Sequence, residues 1–150
     1  MTDPAPPAPI APPPRRIVVA YDGSEPSDRA VRFALEWFDR SRSEVWIVHA
    51  AASPRIVAEP RTDEEQGSEV SAIEQGLRLV QARVDPTGER LHVRVREGAA
   101  SAVILATADE VKADLIVVGT RGLRGASRLL LGSVSSDVVV RSKRPVTVVP

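Results

Sequence analysis

From Arg16 onward the apolar residues arrive in short blocks, alternating between unbroken runs and helically spaced positions. Ile17-Val18-Val19-Ala20-Tyr21 is an unbroken run that stops at Asp22-Gly23-Ser24, a strand followed by a turn. Next, Ala30, Ala34, Trp37 and Phe38 recur at three- and four-residue spacing and form one helical face. Ser24 or Ser27 can cap this helix, and Pro26 suits its first turn. Glu44 to His49 predicts a second strand, and the polar stretch from Ser53 to Gly67 reads as loop and helix lead-in. Val70, Ile73, Leu77, Val80 and Val84 carry the face of a second helix, which Pro86 and Gly88 end. Leu91 to Arg96 alternates apolar and charged residues, as an edge strand with one exposed face does, so His92 is expected in solvent. Gly98 opens a third helix, with Val103, Leu105, Ala106 and Val111 as its apolar positions. Asp114 to Gly119 is the strand with the most buried character. Ser133 to Arg141 predicts a short helix, and Pro145 to Val149 a last strand.

Strands alternating with helices imply an α/β domain, with parallel strands joined by right-handed crossovers and helices on both faces of the sheet. In open sheets of this kind, ligands sit beyond the carboxyl ends of the strands where the winding direction reverses. The first and fourth strands are the expected neighbours there, because their ends carry Asp22-Gly23 and Gly119-Thr120-Arg121-Gly122.

Composition narrows the chemistry. Apolar residues make up 43% of the 150-residue chain and aromatics only 3%, so the core is aliphatic. The 20 basic and 20 acidic residues cancel, which disfavours a general electrostatic grip on nucleic acid or on an anionic membrane. The absence of cysteine excludes thiolate catalysis and Cys-ligated zinc, and two histidines make a His-rich metal site improbable. No basic and apolar leader opens the chain, and no run approaches a membrane span, so a cytoplasmic protein is expected. Residues 1–14 hold seven of the 13 prolines. The chain therefore divides into a disordered, proline-rich arm over 1–15 and one folded domain over 16–150; the arm is either an inert leader or a ligand for a proline-binding module.

The candidate chemistry lies in Gly119-Thr-Arg-Gly122-Leu-Arg-Gly125-Ala-Ser-Arg-Leu-Leu-Leu-Gly132-Ser133-Val-Ser135-Ser136. Glycines let backbone N–H groups approach an anion without a Cβ in the way. Gly132-Ser133 directly precedes a helix, whose free amides and positive dipole end attract phosphate. Ser133, Ser135 and Ser136 add hydroxyl donors, and Arg121, Arg124 and Arg128 add positive charge. The segment is not a P-loop, since the chain has no Gly-Lys pair, and the first turn lacks the dinucleotide Gly-x-Gly-x-x-Gly. On these residues alone, phosphate cradle and plain structural turns both stand.

The spacing Gly119-x2-Gly122-x9-Gly132-Ser133 resembles the nucleotide-binding signature of the universal stress protein family. The similarity runs from Arg16 to the end, through Asp22-Gly23-Ser24, His49, Gly98, the strand ending at Gly119 and the closing Arg144-Pro145-Val-Thr-Val-Val. It implies a Rossmann-like, three-layer, five-stranded parallel sheet of order 3-2-1-4-5. It further implies that Ala20, Tyr21 and Asp22 lie beside an adenine nucleotide and that Ala50 lines the base pocket. Val118, Gly119, Gly122, Gly132, Ser133, Val134 and Ser135 are then the cradle of ribose and phosphates. Ala20-Tyr21 departs from the proline or small polar residue common before that aspartate.

Asp22 is expected either as a turn-former or as a site residue bridging Mg²⁺ to phosphate. His49 reads as structural, and Arg141, Lys143 and Arg144 as cations favouring a helix C-terminus. The last strand would leave a bare sheet edge, which a second copy would cover; the resemblance points to the same homodimer through 145–149. No nucleophile, Walker-type lysine or general base emerges, so no catalytic residue is assigned. The expected function is an ATP-binding regulator of the stress response, with little or no hydrolysis and a regulatory protein partner whose identity the sequence does not give. The rivals are a slow ATPase, a cyclic-AMP-binding protein and a ligand-free dimerisation module.

Overall fold

The computed structural model describes residues 14–37, 42–51, 63–120 and 131–150, with the backbone alone described at 37 and 63–70. Residues 1–13 of the proline-rich arm, Phe38 and the side chains of Trp37 and Val70 lie outside the described residues. Nine elements follow in order: β1 (Arg16–Tyr21), α1 (Glu25–Trp37), β2 (Glu44–Ala51), α2 (Asp63–Val84), β3 (Leu91–Glu97), α3 (Ala100–Glu110), β4 (Leu115–Gly119), α4 (Ser133–Arg141) and β5 (Val146–Val149). The strands form one parallel sheet in the order β3-β2-β1-β4-β5. This is the topology and strand order that the sequence implies.

β1 is central, and Ile17, Val18 and Val19 expose nothing to solvent. A parallel strand covered on both faces has no polar side to show, which is why its apolar run is unbroken. Side chains alternate across the sheet. Ile17, Val19, Val45, Ile47, Leu115 and Val117 pack with Ala30, Val31 and Ala34 of α1 and Leu77 of α2. Val18, Trp46, Val48, Ile116 and Val118 pack on the other face with Val103, Ile104 and Ala108 of α3 and Val138 of α4. Each Val, Ile or Leu among them contributes about 1.5–3 kcal/mol when fully buried.

Ser24 immediately precedes α1, and its carbonyl accepts the Asp28 N–H at 3.0 Å. Ser27 is instead a helical residue, with its hydroxyl donating to the Ser24 carbonyl at 2.8 Å. α2 begins at Asp63, earlier than the polar stretch to Gly67 suggests, and Val80 on it is partly exposed. In α3 the buried stripe is Val103, Ile104, Thr107 and Ala108, which turns Ala106 to solvent. The stripe is hard to see in sequence because Thr107 counts as polar, yet its hydroxyl donates to the Val103 carbonyl at 2.8 Å. His92 is only partly in solvent. The register pairs it with Trp46 on β2, and the rings stack with centroids 4.7 Å apart.

Candidate functional site

β1 and β4 are hydrogen-bonded neighbours, but the helices that follow them cover opposite faces of the sheet. The crevice this creates beyond their carboxyl ends is where an open parallel sheet takes a ligand. Within it, Ala20, Ala50 and Val118 belong to the face covered by α3 and α4. Tyr21 falls on the α1 and α2 face, where it packs against the core around Val19 and Ile47. Its side chain therefore does not share the wall made by Ala20 and Ala50. Burial, the Asp28 carboxylate and, least, Asp22 push the Tyr21 phenol above its ordinary pKa. His49 is buried and donates from Nδ1 to the Tyr21 carbonyl at 2.9 Å, a structural tie between β2 and β1.

Asp22 closes the first turn. Its Oδ1 accepts from the Ser24 amide at 3.0 Å and from the Ser24 hydroxyl, while its own amide donates to the Ser27 hydroxyl at 3.3 Å. Gly23 between them sits at φ 79°, a conformation open to glycine. Asp22 is thus a turn-former, and a carboxylate held at a fixed place on the sheet edge. Among the described residues, no group of three or more His, Cys, Asp or Glu is placed to hold a metal. A Mg²⁺ at Asp22 would therefore take its other ligands from phosphate and water, as this ion commonly does.

At the end of β4, a Cβ on Gly119 would lie 2.7 Å from the carbonyl carbon of Pro26 and 2.9 Å from its Cβ and its oxygen. Gly119 is required because the first turn of α1 lies against it, which seals the crevice on the α1 side. Thr120 then donates its amide to the Val149 carbonyl at 2.8 Å, and its carbonyl accepts the Gly132 amide at 2.6 Å. The chain leaves the sheet and returns to it at two bonded residues. Gly122, Gly125, Arg121, Arg124 and Arg128 lie outside the described residues.

Gly132 is the residue before α4, in extended conformation, and no side chain caps the helix there. The amides of Ser133, Val134 and Ser135 have no acceptor within the helix, whose first turn is closed by Ser136 N–H on the Gly132 carbonyl at 2.9 Å. Ser133 and Val134 are exposed. An uncapped helix N-terminus offers the partial positive charge and the N–H donors that an anion takes. Ser135 differs: it is buried, and its hydroxyl donates to the carbonyls of Thr120 and Gly132.

Sequence reasoning placed Pro26 in the first turn of α1 and Val149 in the last strand, but it did not show that Pro26 packs on Gly119 or that Thr120 bonds to Val149 and Gly132. It also gave Arg144 to a helix terminus, whereas its guanidinium pairs with Asp109 of α3. Arg141 does lie in the last turn of α4, paired with Asp137 at 2.9 Å.

The sequence model of the universal stress protein family matches residues 13–150. A universal stress protein of Thermus aquaticus is 34% identical over 142 residues, spanning 90% of this chain and 98% of that one. One of Methanocaldococcus jannaschii is 33% identical over 138 residues, spanning 90% and 81%. Among solved structures, a universal stress protein in complex with cAMP is 32% identical with a TM-score of 0.67, covering 93% of this chain and 99% of its own. The Archaeoglobus fulgidus universal stress protein in complex with dAMP is 28% identical with a TM-score of 0.61, covering 91% and 98%. The strand order, the glycine end of β4 against α1 and the match over nearly the whole chain agree, and the chain belongs to the universal stress protein family.

Proposed function

We propose that this protein binds an adenine nucleotide, ATP in the first instance, at the carboxyl edge between β1 and β4. The observation that carries the reading is the uncapped N-terminus of α4, held beside the end of β4 by the bond from Gly132 to Thr120. The amides of Ser133, Val134 and Ser135 and the exposed Ser133 hydroxyl would hold phosphate, with Gly119 and Gly122 forming the start of the cradle. Ala20 and Ala50 lie partly buried on one face of the sheet, and their small apolar side chains suit a flat base, while Val118 at the end of β4 is buried behind them and would meet the ribose through its backbone. Asp22 would meet phosphate through Mg²⁺, and Tyr21 supports the site from the opposite face. The relatives solved with cAMP and with dAMP support adenine as the base, and the first of these keeps cyclic AMP as a second reading.

The role that goes with this reading is that of a ligand-dependent regulator with little or no hydrolysis. The outer edge of β5 is the surface for a second copy. Calorimetric titration with ATP and with cyclic AMP tests the reading. Saturable heat with either supports it and ranks the two; no heat with either, on folded protein, refutes it.

A further inference from the structure

Ser135 stands apart from the other serines of the first turn of α4. It is 3% exposed, and its Oγ lies 3.0 Å from the Gly132 carbonyl oxygen and 3.1 Å from that of Thr120. A hydroxyl has one proton, so these two carbonyls share it. Donation to a phosphate would require Ser135 to give up a bond to residues that are themselves structural. Thr120 is fixed on its other side by the 2.8 Å bond from its amide to Val149, and Gly132 is fixed to Thr120 at 2.6 Å. The bond between Ser135 and Thr120 is long-range, spanning 15 residues, whereas the bond to Gly132 is a local helix contact that a Ser makes anywhere.

We propose that Ser135 is a positioning residue: its hydroxyl fastens the N-terminus of α4 to the end of β4, and phosphate contact falls to the first-turn amides, which have no acceptor within the helix, and to the Ser133 hydroxyl. The proposal rests on the nucleotide reading for its effect on binding. Its effect on the unliganded protein does not depend on that reading. With the hydroxyl removed, the Gly132 amide is the one bond left among the described residues between Thr120 and the helix start, so the helix start opens more often before any ligand arrives. A ligand must then restore the arrangement, and its affinity falls by the amount that the restoration takes.

The test compares the full chain with Ser135→Ala and with Ser135→Thr, which keeps the hydroxyl. Amide exchange of the unliganded proteins is followed by NMR at Gly132, with the amides of β1 as internal control. In Ser135→Ala, Gly132 exchange rises about fivefold, the effect of one ordinary hydrogen bond, while β1 is unchanged. ATP affinity falls by about the same factor, and Ser135→Thr restores both. Unchanged Gly132 exchange in Ser135→Ala overturns the proposal, and if affinity has nonetheless fallen, Ser135 touches the ligand directly. Equal acceleration at Gly132 and β1 also overturns it, since the hydroxyl then serves only global stability. If the wild-type chain binds no ATP, the nucleotide reading fails, and the exchange comparison still decides the role of Ser135.

Discussion

Replacing Gly119 by alanine adds one methyl group at the most crowded point of the sheet edge. The new Cβ would lie 2.7 Å from the Pro26 carbonyl carbon and 2.9 Å from both its oxygen and its Cβ. Carbon contacts settle near 3.5–4.0 Å, so the neighbours must retreat by roughly half an ångström or more. Two of the three atoms are backbone of the first helical turn, and no rotamer change can relieve them. Relief means shifting α1, which carries Ala30, Val31 and Ala34 in the core and follows directly on the Asp22 turn. Overpacking of this kind costs about 1–3 kcal/mol. For a domain of this size that lowers the melting temperature by about 3–10 °C. Differential scanning calorimetry of Gly119→Ala reads the loss directly, and ATP titration should show weaker binding because the turn at Asp22 moves with α1. Pro26→Ala in the same background does not rescue, since the carbonyl and Cβ remain. A Gly119→Ala protein melting within about 1 °C of wild type would refute the close packing of α1 on β4 and the sealing of the crevice on that side.

Other outcomes follow from the same packing. Gly76 lies inside α2, and a Cβ there meets nothing within 4 Å, so Gly76→Ala should raise the melting temperature by about 1–4 °C through helix propensity alone. Asp85 accepts the amides of Arg90 and Leu91 at 2.8 Å each and the Thr87 hydroxyl at 2.7 Å, contacts that lower its pKa to about 2 from 3.8. A depressed pKa stabilises the fold above the unfolded value, and that contribution fades as pH falls from 3.8 towards 2. The difference in melting temperature between wild type and Asp85→Asn should therefore be full at pH 6 and shrink through that window; a difference independent of pH refutes the assignment. In β5, the carbonyls of Pro145 and Val149 bond to β4, so alternation turns the backbone groups of Val146 and Val148 to the outer edge. Val148→Pro removes one outward donor, and sedimentation should show monomer where wild type shows dimer; a dimer that persists places the interface elsewhere.

The strands were legible because burial on both faces writes itself as unbroken Val and Ile, and β1, β2 and β4 carry the interior. The helices were less so. The stripe of α3 runs through Thr107, which a polarity count assigns to solvent, and that misplacement carried Ala106 inwards. His92 was misread because alternation along β3 does not reveal what the neighbouring strand presents; the stacking partner Trp46 comes from register. The candidate phosphate cradle was visible as glycine and serine before a helix, a local pattern with a local cause. The contacts that shape the sheet edge around it were not: Pro26 packed against Gly119, and Val149 bonded to Thr120, are separated by 93 and 29 positions and by no periodicity. The close approach of Pro26 gives Gly119 a packing reason to be glycine that its place in the motif did not reveal.

The bond from Thr120 to Val149 sets an order of events during synthesis. β1, α1 and β2 can meet and bury Ile17, Val19, Val45 and Ile47 while the rest of the chain is still being made. The Thr120 amide acquires its acceptor only when Val149 has been added and has reached the edge of the sheet beyond β4. A nascent or prematurely ended chain would thus hold a largely packed core and an unfinished crevice. Competence to take a ligand would then report that translation of this domain had run to its last strand.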